Sequence, residues 1–512
     1  ATQTEIEHWQ LPNPEPADVA DGRSFLYDAH NTSSNGEASC SSCHAFGDMD
    51  DLAWDLGDPD GDVTPNPIPF EFSSVLDFIP QFLGLPVDLN GEATDFEFHP
   101  MKGPMTTQTL RGLSNSGAMH WRGDRSVGVF GTSSTNEALS FNNFLVAFPG
   151  LLGQAVPIAA TDMQEFTDFA LEIVLPPNPQ AGLDNSLSAD AQAGANFFNG
   201  PRRSDGLSTD PLAGVTLGFN CDGCHRIAPE VGQFGTSTRG SFENESQIFK
   251  IPQLRNMYQK VGMFGMPETL FELPGDNGFK GEQIRGIGFL HDGSTDTLFR
   301  FFRATVLDGG GDPDTGFEND TQREQMEAFM MAFPTDLAPI TGQQITLSAG
   351  NGAVTNPRID LLIQRADAPF TSEILGGLTT ECQLIAKAQV SGELMGWLYI
   401  TGGVSSGVFL ASDGGTITDA NLRALASSTD VTFSCVPPGS GQRMGINRDR
   451  DALFDSLDNC PGVPNDDQSD GDGDLLGDAC DPTPLPEPGA SLLLFCGALA
   501  LLGCSSLKRR TV

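Results

Sequence analysis

Two short segments of this chain repeat the pattern Cys-x-x-Cys-His. The first runs from Cys40 to His44 and the second from Cys221 to His225. A segment with helical character precedes each copy, and each is followed by a Leu-Arg pair and then by a histidine close to glycine and aspartate. Because this order occurs twice, the sequence predicts an internal duplication of domain size rather than a short-period repeat.

Three kinds of site contain two cysteines at this spacing. Structural zinc needs four nitrogen or sulfur ligands, and the duplication argues against one ion shared by both copies. A thioredoxin-like dithiol belongs to a βαβ context, which surrounds neither copy. Covalent haem uses every residue of the pattern, since the two thiols bond to vinyl groups and the histidine binds iron. The sequence therefore predicts two covalently attached haem c groups, held by Cys40, Cys43, His44, Cys221, Cys224 and His225.

A haem iron also needs a sixth ligand or an open coordination position. His99 lies close to Met101 and Met105, and Met263 lies three residues before Met266. We take His99 and Met263 as candidate ligands of the first and second iron. The alternatives are a hydrogen-bonded loop histidine and a methionine that packs in the core.

Segment 161–173 has the apolar spacing of an amphipathic helix. The proline-rich run 176–179 ends this helix and marks a linker. Helices are also expected over 187–198, ahead of the second pentad, and over 322–333, at the end of the second half. From residue 341 onward, glycine-rich turns separate runs of β-prone residues such as 344–347 and 398–401. The sequence therefore predicts a helical part followed by a small β-rich module.

Charge and cysteine usage narrow the classes of partner and compartment. The chain has 68 acidic and 27 basic residues, a formal net charge of −41 at pH 7, and such a charge repels nucleic acid. We expect Cys382 to pair with Cys435 and Cys460 with Cys480, and disulfides form in oxidising compartments. These pairs lead us to expect export to the periplasm or cell surface. The chain starts at Ala1 rather than at methionine, so we expect that it was processed or truncated upstream.

An aspartate-dense segment follows the β-rich part. Its alternating carboxylates, flanked by Cys460 and Cys480, resemble a thrombospondin type 3 repeat, although Leu475 stands where glycine is usual. The resemblance implies Ca²⁺ binding by oxygen ligands, and a solvated acidic linker is the alternative. The candidate ligands are Asn447, Asp449, Asp451, Asp455, Asp458, Asp470, Asp472, Asp474 and Asp478.

The tail consists of Pro-Glu-Pro, an apolar run over residues 490–504, and a basic cluster over 508–510. It resembles the bacterial PEP-C-terminal sorting signal, which implies transient membrane contact before cleavage. The apolar run is short for a stable membrane span. A permanent single-helix anchor is the alternative.

Phrases around the pentads carry a wider resemblance. The second half contains FKIPQLRN over 249–256 and FLHDG over 289–293, and the first half contains His99 before Gly103-Pro104 and later Trp121. The region 15–340 thus resembles bacterial di-haem cytochrome c peroxidases and the methylamine dehydrogenase maturation (MauG-like) enzymes. The resemblance implies His99 as distal ligand of the first iron and Trp121 as an electron bridge between haems.

This chain departs from that family at three places. The stretch from His44 to His99 is longer and rich in aspartate, Thr305 stands near the place of a ligating methionine, and the acid–base residues that assist peroxide cleavage have no clear counterpart. Glu137 is the nearest candidate for that acid–base role. A further similarity to large exported cytochromes, in which such a module follows β-propeller repeats, suggests that residues 1–14 are a remnant.

These observations predict a mainly α fold, with two cytochrome c-like haem domains in tandem, then a small β-rich module and a calcium-binding repeat. The expected divisions are 1–14 (N-terminal remnant), 15–180 (first haem domain), 181–340 (second haem domain), 341–440 (β-rich module), 441–482 (calcium-binding repeat) and 483–512 (sorting signal). The expected function is electron transfer and a peroxidase-like reaction, with a small redox protein or other electron donor or acceptor as partner and peroxide as candidate substrate. The alternative is a non-catalytic cytochrome whose two haems are both six-coordinate.

Overall fold

The computed structural model describes residues 17–65, 97–114, 116, 119–123, 125, 127–128, 131–132, 136–202, 221–225, 249–250, 252–263, 285–304, 307 and 314–482. These residues divide into two compact units. The pentad unit comprises residues up to 340 together with 369–379, and the sheet unit comprises 341–368 together with residues from 380 onward. The predicted remnant 1–14 and the sorting tail 483–512 lie outside the described residues.

The helices and strands follow in chain order. The α-helices are α1 (Ala17–Tyr27), α2 (Ala29–Thr32), α3 (Glu137–Asn142), α4 (Ala147–Gly150), α5 (Ala160–Glu172), α6 (Ala189–Phe198), α7 (Cys221–Cys224), α8 (Leu298–Phe301), α9 (Asp320–Met331), α10 (Gly352–Ala366), α11 (Asp419–Ala424) and α12 (Gly441–Gly445). The strands are β1 (Ala53–Asp55), β2 (Thr64–Pro65), β3 (Glu97–Phe98), β4 (Pro104–Thr106), β5 (Val127–Gly128), β6 (Gly131–Thr132), β7 (Val261–Gly262), β8 (Arg285–Gly286), β9 (Gln344–Leu347), β10 (Pro369–Ser372), β11 (Gly377–Thr380), β12 (Gln383–Val390), β13 (Glu393–Thr401), β14 (Val408–Ala411), β15 (Thr416–Thr418) and β16 (Val431–Val436).

The first core of the pentad unit forms where α1 packs against α5. Helix α5 buries Met163, Phe166, Thr167 and Ala170, and this spacing of three, one and three residues places them on one helical face. The two helices approach closely at Gly22, where a Cβ atom would lie 2.0 Å from the carbonyl oxygen of Glu165. The predicted helix 161–173 therefore forms within one residue of its expected bounds.

The second core of the pentad unit forms between α6 and α9. Ser188 caps α6 and Asn319 caps α9, each through a side-chain oxygen that accepts a backbone N–H of the first turn. Phe198 contributes to an aromatic cluster with Phe329 and Phe333. Helix α6 lies within the predicted segment 187–198, whereas α9 begins and ends two residues before the predicted segment 322–333.

The sheet unit contains a six-stranded sheet with the order β15-β14-β13-β12-β16-β9. All its strand pairs are antiparallel, and α10 packs against strands β9, β12 and β16. Ile359 and Leu362 of the helix and Leu384 and Phe433 of the sheet are fully buried. The Cys382–Cys435 disulfide joins the start of β12 to β16, as the sequence led us to expect.

The prediction of a mainly α fold is wrong. The sheet unit contains the six-stranded sheet, and the pentad unit contains short two-stranded ribbons such as β1–β4 and β7–β8, so the fold is not mainly α. The sheet was underestimated because its outer strand β9 pairs with β16, which lies far along the chain, and periodicity reports only local order. Among the described residues, no helix is both long and apolar enough to cross a membrane.

Candidate functional site: the two Cys-x-x-Cys-His turns

The first pentad folds as a tight turn. Residues Cys40–Ser42 form one turn of 3-10 helix, and the backbone N–H of His44 donates to the carbonyl of Cys40 at 2.9 Å. A hydrogen bond stabilises the start of the turn, where the backbone N–H of Ser39 donates to the hydroxyl of Ser42 at 3.1 Å. Both cysteines and the histidine therefore lie within one short, hydrogen-bonded turn.

The cysteines of this turn are free thiols. Cys40 packs against the first core of the pentad unit, and burial raises the pKa of its thiol to about 11. The pKa of Cys43 is also raised, first by burial and then by the negative charge of Asp50. A reactive redox dithiol has a lowered thiol pKa, so this turn lacks the electrostatics of a thioredoxin-like site.

His44 is held as a neutral imidazole. Burial lowers the pKa of its side chain, while hydrogen bonds with the backbone of Gln108 and Asp48 act in the opposite direction. The Leu-Arg segment is hydrogen-bonded to the turn that follows His44, since the Leu110 N–H donates to the Gly47 carbonyl at 3.0 Å. The Arg111 guanidinium donates to the Phe46 carbonyl at 3.0 Å and pairs with Asp48 at 2.9 Å.

The second pentad is built in the same way. Cys221 and Cys224 begin and end the single turn α7, and the backbone N–H of His225 donates to the Cys221 carbonyl at 2.7 Å. The Nδ1 atom of His225 lies 3.0 Å from the carbonyl oxygen of Pro252. Burial lowers the pKa of His225 to about 4, so the ring is neutral and donates its Nδ1 proton to that carbonyl. Its Nε2 atom therefore carries a lone pair, as a metal-ligating histidine requires.

The segments that follow the two pentads meet each other. Pro252 begins the Pro-Gln-Leu-Arg run of the second half. Arg255 in that run is fully buried, and it donates to the carbonyl of Gly112 and to the hydroxyl of Ser116 in the corresponding segment of the first half. The duplicated phrases thus both support their own pentad turns and join the two halves of the pentad unit.

Trp121 lies in a buried aromatic cluster with residues of the second half. Its indole N–H donates to the carbonyl of Thr106 at 2.7 Å, and it packs with Met105 and Phe249. The ring of His291 stands edge-on to Trp121, with centroids 6.5 Å apart, and stacks on Phe249 at 4.1 Å. Sequence reasoning assigned no role to His291 or Phe249, although both lie in the phrases that carry the family resemblance.

The candidate distal ligands are not held in buried positions. His99 is exposed, and its Nδ1 atom accepts the backbone N–H of Met101 at 3.3 Å. Met263 is 45% exposed. Glu137 lies in the first turn of α3 and is half-buried. Neither His99 nor Met263 is therefore held in a buried position that would fix it as the sixth ligand of an iron.

The aspartate-dense segment forms two carboxylate clusters. Asp449, Asp451 and Asp458 each place one carboxylate oxygen within 4.8 Å of the others. Asp458 is only 8% exposed, and its Oδ2 atom and that of Asp449 are buried without a hydrogen-bond partner. The pKa of Asp449 is raised, first by burial, with the charges of Asp451 and Asp458 acting in the same direction. The cluster therefore has the electrostatic deficit that a cation would relieve.

Asp470, Asp472 and Asp474 form the second cluster, within 4.8 Å of one another and mostly exposed. This cluster lies in the loop that the Cys460–Cys480 disulfide closes. The remaining three predicted ligands are engaged elsewhere, by hydrogen bonds or an ion pair within the segment. Asn447 donates to the Asp451 carbonyl, Asp455 pairs with Arg448, and Asp478 accepts the Gly471 N–H.

Comparison with known proteins yields distant likenesses only. No family model and no curated protein matches the chain. Among solved structures, it is similar to hydrazine synthase of Kuenenia stuttgartiensis, with 15% identity, a TM-score of 0.33, and coverage of 65% of this chain and 96% of the other. It is also similar to a MauG-like protein associated with microbial copper homeostasis, with 15% identity, a TM-score of 0.28, and coverage of 65% and 95%.

A third structure similar to this chain is the diheme peroxidase BthA of Burkholderia thailandensis, with 13% identity, a TM-score of 0.28, and coverage of 63% of this chain and 86% of the other. At these scores the likenesses assign neither fold nor activity to this chain. Its function is therefore argued from its own residues.

Proposed function

We propose that the pentad unit is a di-haem c-type cytochrome that transfers electrons and acts as a peroxidase-like oxidoreductase. The observation that carries the proposal is the hydrogen bond from His225 Nδ1 to the Pro252 carbonyl, at the end of the second Cys-x-x-Cys-His turn. This bond orients the imidazole and leaves Nε2 for a metal. When bound, haem supplies one-electron transfer and, where a coordination position is open, peroxide reduction.

The residues of both turns fit a covalently attached haem. Cys40 and Cys43 are free thiols, as thioether formation requires, and Cys221 begins the second turn at the corresponding position. His44 and His225 are neutral because burial lowers the pKa of each, and a neutral imidazole is the form that binds a metal. Because each half contains one such turn, we expect one haem in each half.

Trp121 is the residue that we assign to electron passage between the halves. It is buried, its indole is fixed by the Thr106 carbonyl, and it contacts Phe249 of the second half. An aromatic side chain held in a single orientation, within a cluster built from both halves, suits this role. For the peroxidase step we retain Glu137, a half-buried carboxyl in the first turn of α3, as the candidate acid–base group.

The proposal is tested on protein produced together with a haem-attachment system. The denatured protein should retain two haems per chain, and C40A and C221A should each impair attachment of one. Retention of both haems in either variant, or of none in the parent, would contradict the proposal. A spectrum of the reduced protein with carbon monoxide then counts open irons. If both irons are low-spin and peroxide is not consumed with a donor present, the non-catalytic cytochrome replaces the peroxidase.

We also propose that the aspartate-dense segment binds Ca²⁺, as a thrombospondin type 3-like repeat. Support comes from the two buried carboxylate oxygens of Asp449 and Asp458 that lack hydrogen-bond partners. Asp451 completes this set of hard oxygen ligands. Calorimetric titration of the metal-free protein with Ca²⁺ should show binding that D458N weakens, and absence of heat in the parent would refute the site.

Export is the third part of the proposal. Its support is the pair of disulfides, Cys382–Cys435 and Cys460–Cys480, because such bonds persist in oxidising compartments. The Pro-Glu-Pro tail is proposed as a sorting signal with transient membrane contact. Fractionation of cells that produce the full chain, with and without residues 483–512, tests this: the truncated chain should lose its membrane-associated intermediate.

A further inference from the structure

An exposed apolar face lies on the ribbon formed by β1 and β4. Leu52, Trp54 and Leu56 alternate along β1 and its flanks, so their side chains share one face. They are 50%, 41% and 48% exposed. Three large apolar side chains on one exposed face form a patch of the kind that marks an interaction site.

Hydrogen bonds hold the segment that carries the patch in place. The Trp54 indole N–H donates to Asp50 Oδ2 at 2.8 Å, and the Thr107 N–H donates to the Leu52 carbonyl at 3.1 Å. Past the strand, the Asp58 N–H donates to the Pro100 carbonyl at 2.9 Å. A surface held in this way is preorganised, so little ordering opposes the docking of a partner.

The patch continues into the interior. Trp54 is the cross-strand partner of Met105, and directly opposite residues place their Cβ atoms about 5 Å apart on the same face. Met105 is buried in one cluster with Trp121 and Phe249. The exposed Trp54 is therefore one cross-strand neighbour away from the buried cluster that contains the tryptophan that we assign to electron passage.

The surroundings of the patch are acidic. Between Asp48 and Asp62 there are seven aspartates and no lysine or arginine. Arg111 reaches this segment and is paired with Asp48 at 2.9 Å. The backbone of Lys102 lies beside Gly57, and Lys260 lies beside Asp51, so seven aspartates outnumber the three basic residues around the patch. The strongly negative field attracts a basic protein and repels a second copy of this chain, whose net charge is also negative.

We propose that Leu52, Trp54 and Leu56, within their acidic rim, are the docking surface for a small electron-carrying protein with a basic surface. This inference rests on the proposed di-haem function. In the complex the partner is oxidised by one electron and the haem pair is reduced by one, while no atom is transferred. The exposed edge of Trp54 is where the electron enters on its way to Trp121.

The test uses the haem-loaded full chain and, as probe, a small cytochrome c with a basic surface. Binding is measured by calorimetry, and electron transfer from the reduced probe is followed by stopped-flow spectroscopy at several ionic strengths. W54S/L56S should weaken binding at least about tenfold, as expected when central apolar anchors are removed, and its salt dependence should match the parent. D55N/D60N should slow association and flatten the salt dependence.

Two variants in other exposed places serve as matched controls. L378S removes an exposed leucine from the β11 hairpin strand, and E393Q removes an exposed carboxylate from β13. Both should bind and react as the parent does. Reduction by ascorbate and the number of haems per chain should be equal in all variants, which separates docking from the haem function.

The proposal is overturned if the parent does not bind the basic probe, if binding is independent of salt, or if an acidic cytochrome binds equally well. It is also overturned if W54S/L56S binds like L378S, since another part of the chain or of the surface would then be responsible. Loss of haem in the parent contradicts the di-haem function instead, while the calorimetric result still reports on the surface.

Discussion

The Nδ1 atom of His225 lies 3.0 Å from the carbonyl oxygen of Pro252, which ties the second Cys-x-x-Cys-His turn to the Leu-Arg segment of its own half. The first turn is tied to its Leu-Arg segment through Leu110 and Arg111. The two contacts differ in their atoms but serve the same purpose. In each half, the residues that follow the pentad in sequence fold back to support the turn that contains the histidine.

Replacement of Trp121 by phenylalanine should separate packing from hydrogen bonding. The variant keeps most of the apolar contact with Met105 and Phe249 but leaves the Thr106 carbonyl without its donor, which we expect to cost about 1–3 kcal/mol of unfolding free energy. It should also slow electron exchange between the haems, measured by flash photolysis. W397F, at a buried tryptophan of the sheet unit, should leave that exchange rate unchanged. Equal rates in W121F and the parent would remove the bridging role.

Helix packing in the second half depends on a glycine. At Gly194 of α6, a Cβ atom would lie 2.1 Å from the carbonyl oxygen of Gln325 in α9, so G194A forces the helices apart and should destabilise the unit by about 1–3 kcal/mol. Urea denaturation measures the change. The control is G150A, where the added methyl group meets nothing within 4 Å, and it should be neutral or slightly stabilising. A neutral G194A would show that the two helices approach less closely.

The cluster of Asp449, Asp451 and Asp458 should make stability depend on calcium. Chelation leaves the buried carboxylates to repel one another, so the melting temperature of the parent should fall and recover on addition of Ca²⁺. D458N retains the oxygen that accepts the Cys460 N–H but removes a charge, so its melting temperature should respond less to the metal. D413N, in an exposed turn, should respond like the parent. Melting that is indifferent to chelation in every variant would exclude the site.

Tyr399 should make stability fall at alkaline pH. Its hydroxyl donates to Asp367 at 2.7 Å and accepts the Gly403 N–H at 2.7 Å. Burial, followed by the bond to Asp367, raises its pKa from 10.0 to about 12. A pKa raised by folding means that the stabilisation is fully present below pH 10 and is lost as the pH rises through 12.

Y399F should therefore be less stable at neutral pH by about 1–2 kcal/mol and should lose less stability than the parent between pH 10 and 12. Denaturant titrations across this range measure the difference. Y27F, at an exposed tyrosine, should follow the parent throughout. If Y399F and the parent lose stability in parallel, the hydroxyl is not responsible for the alkaline transition.

Local features were predictable from the sequence. Helices α5, α6 and α9 form within two residues of the segments where the sequence predicted helices, because a helix satisfies its own backbone within a few residues. The disulfide partners were predictable from the placement of the cysteines outside the pentads. The pentads themselves, as units of five residues, required no knowledge of the fold.

Long-range features were not predictable in this way. The size of the six-stranded sheet was underestimated because β9 and β16 pair although more than eighty residues separate them. The alternation of side chains along one strand does not identify the strand that pairs with it. Nine residues of the aspartate-dense segment looked equivalent, yet the turns of the chain gather six of them into two clusters and give the other three different partners.

The sequence by itself determined which residues are candidates for haem attachment and Ca²⁺ binding: the two Cys-x-x-Cys-His turns, their Leu-Arg segments and the aspartates, because each is a contiguous pattern with a chemical requirement at fixed spacing. Only the tertiary structure decided that His225 is oriented by Pro252, that Trp121 meets Phe249 and His291, and that Trp54 is exposed above Met105. These contacts join distant segments, and distant segments meet only when burial of apolar surface brings the chain together.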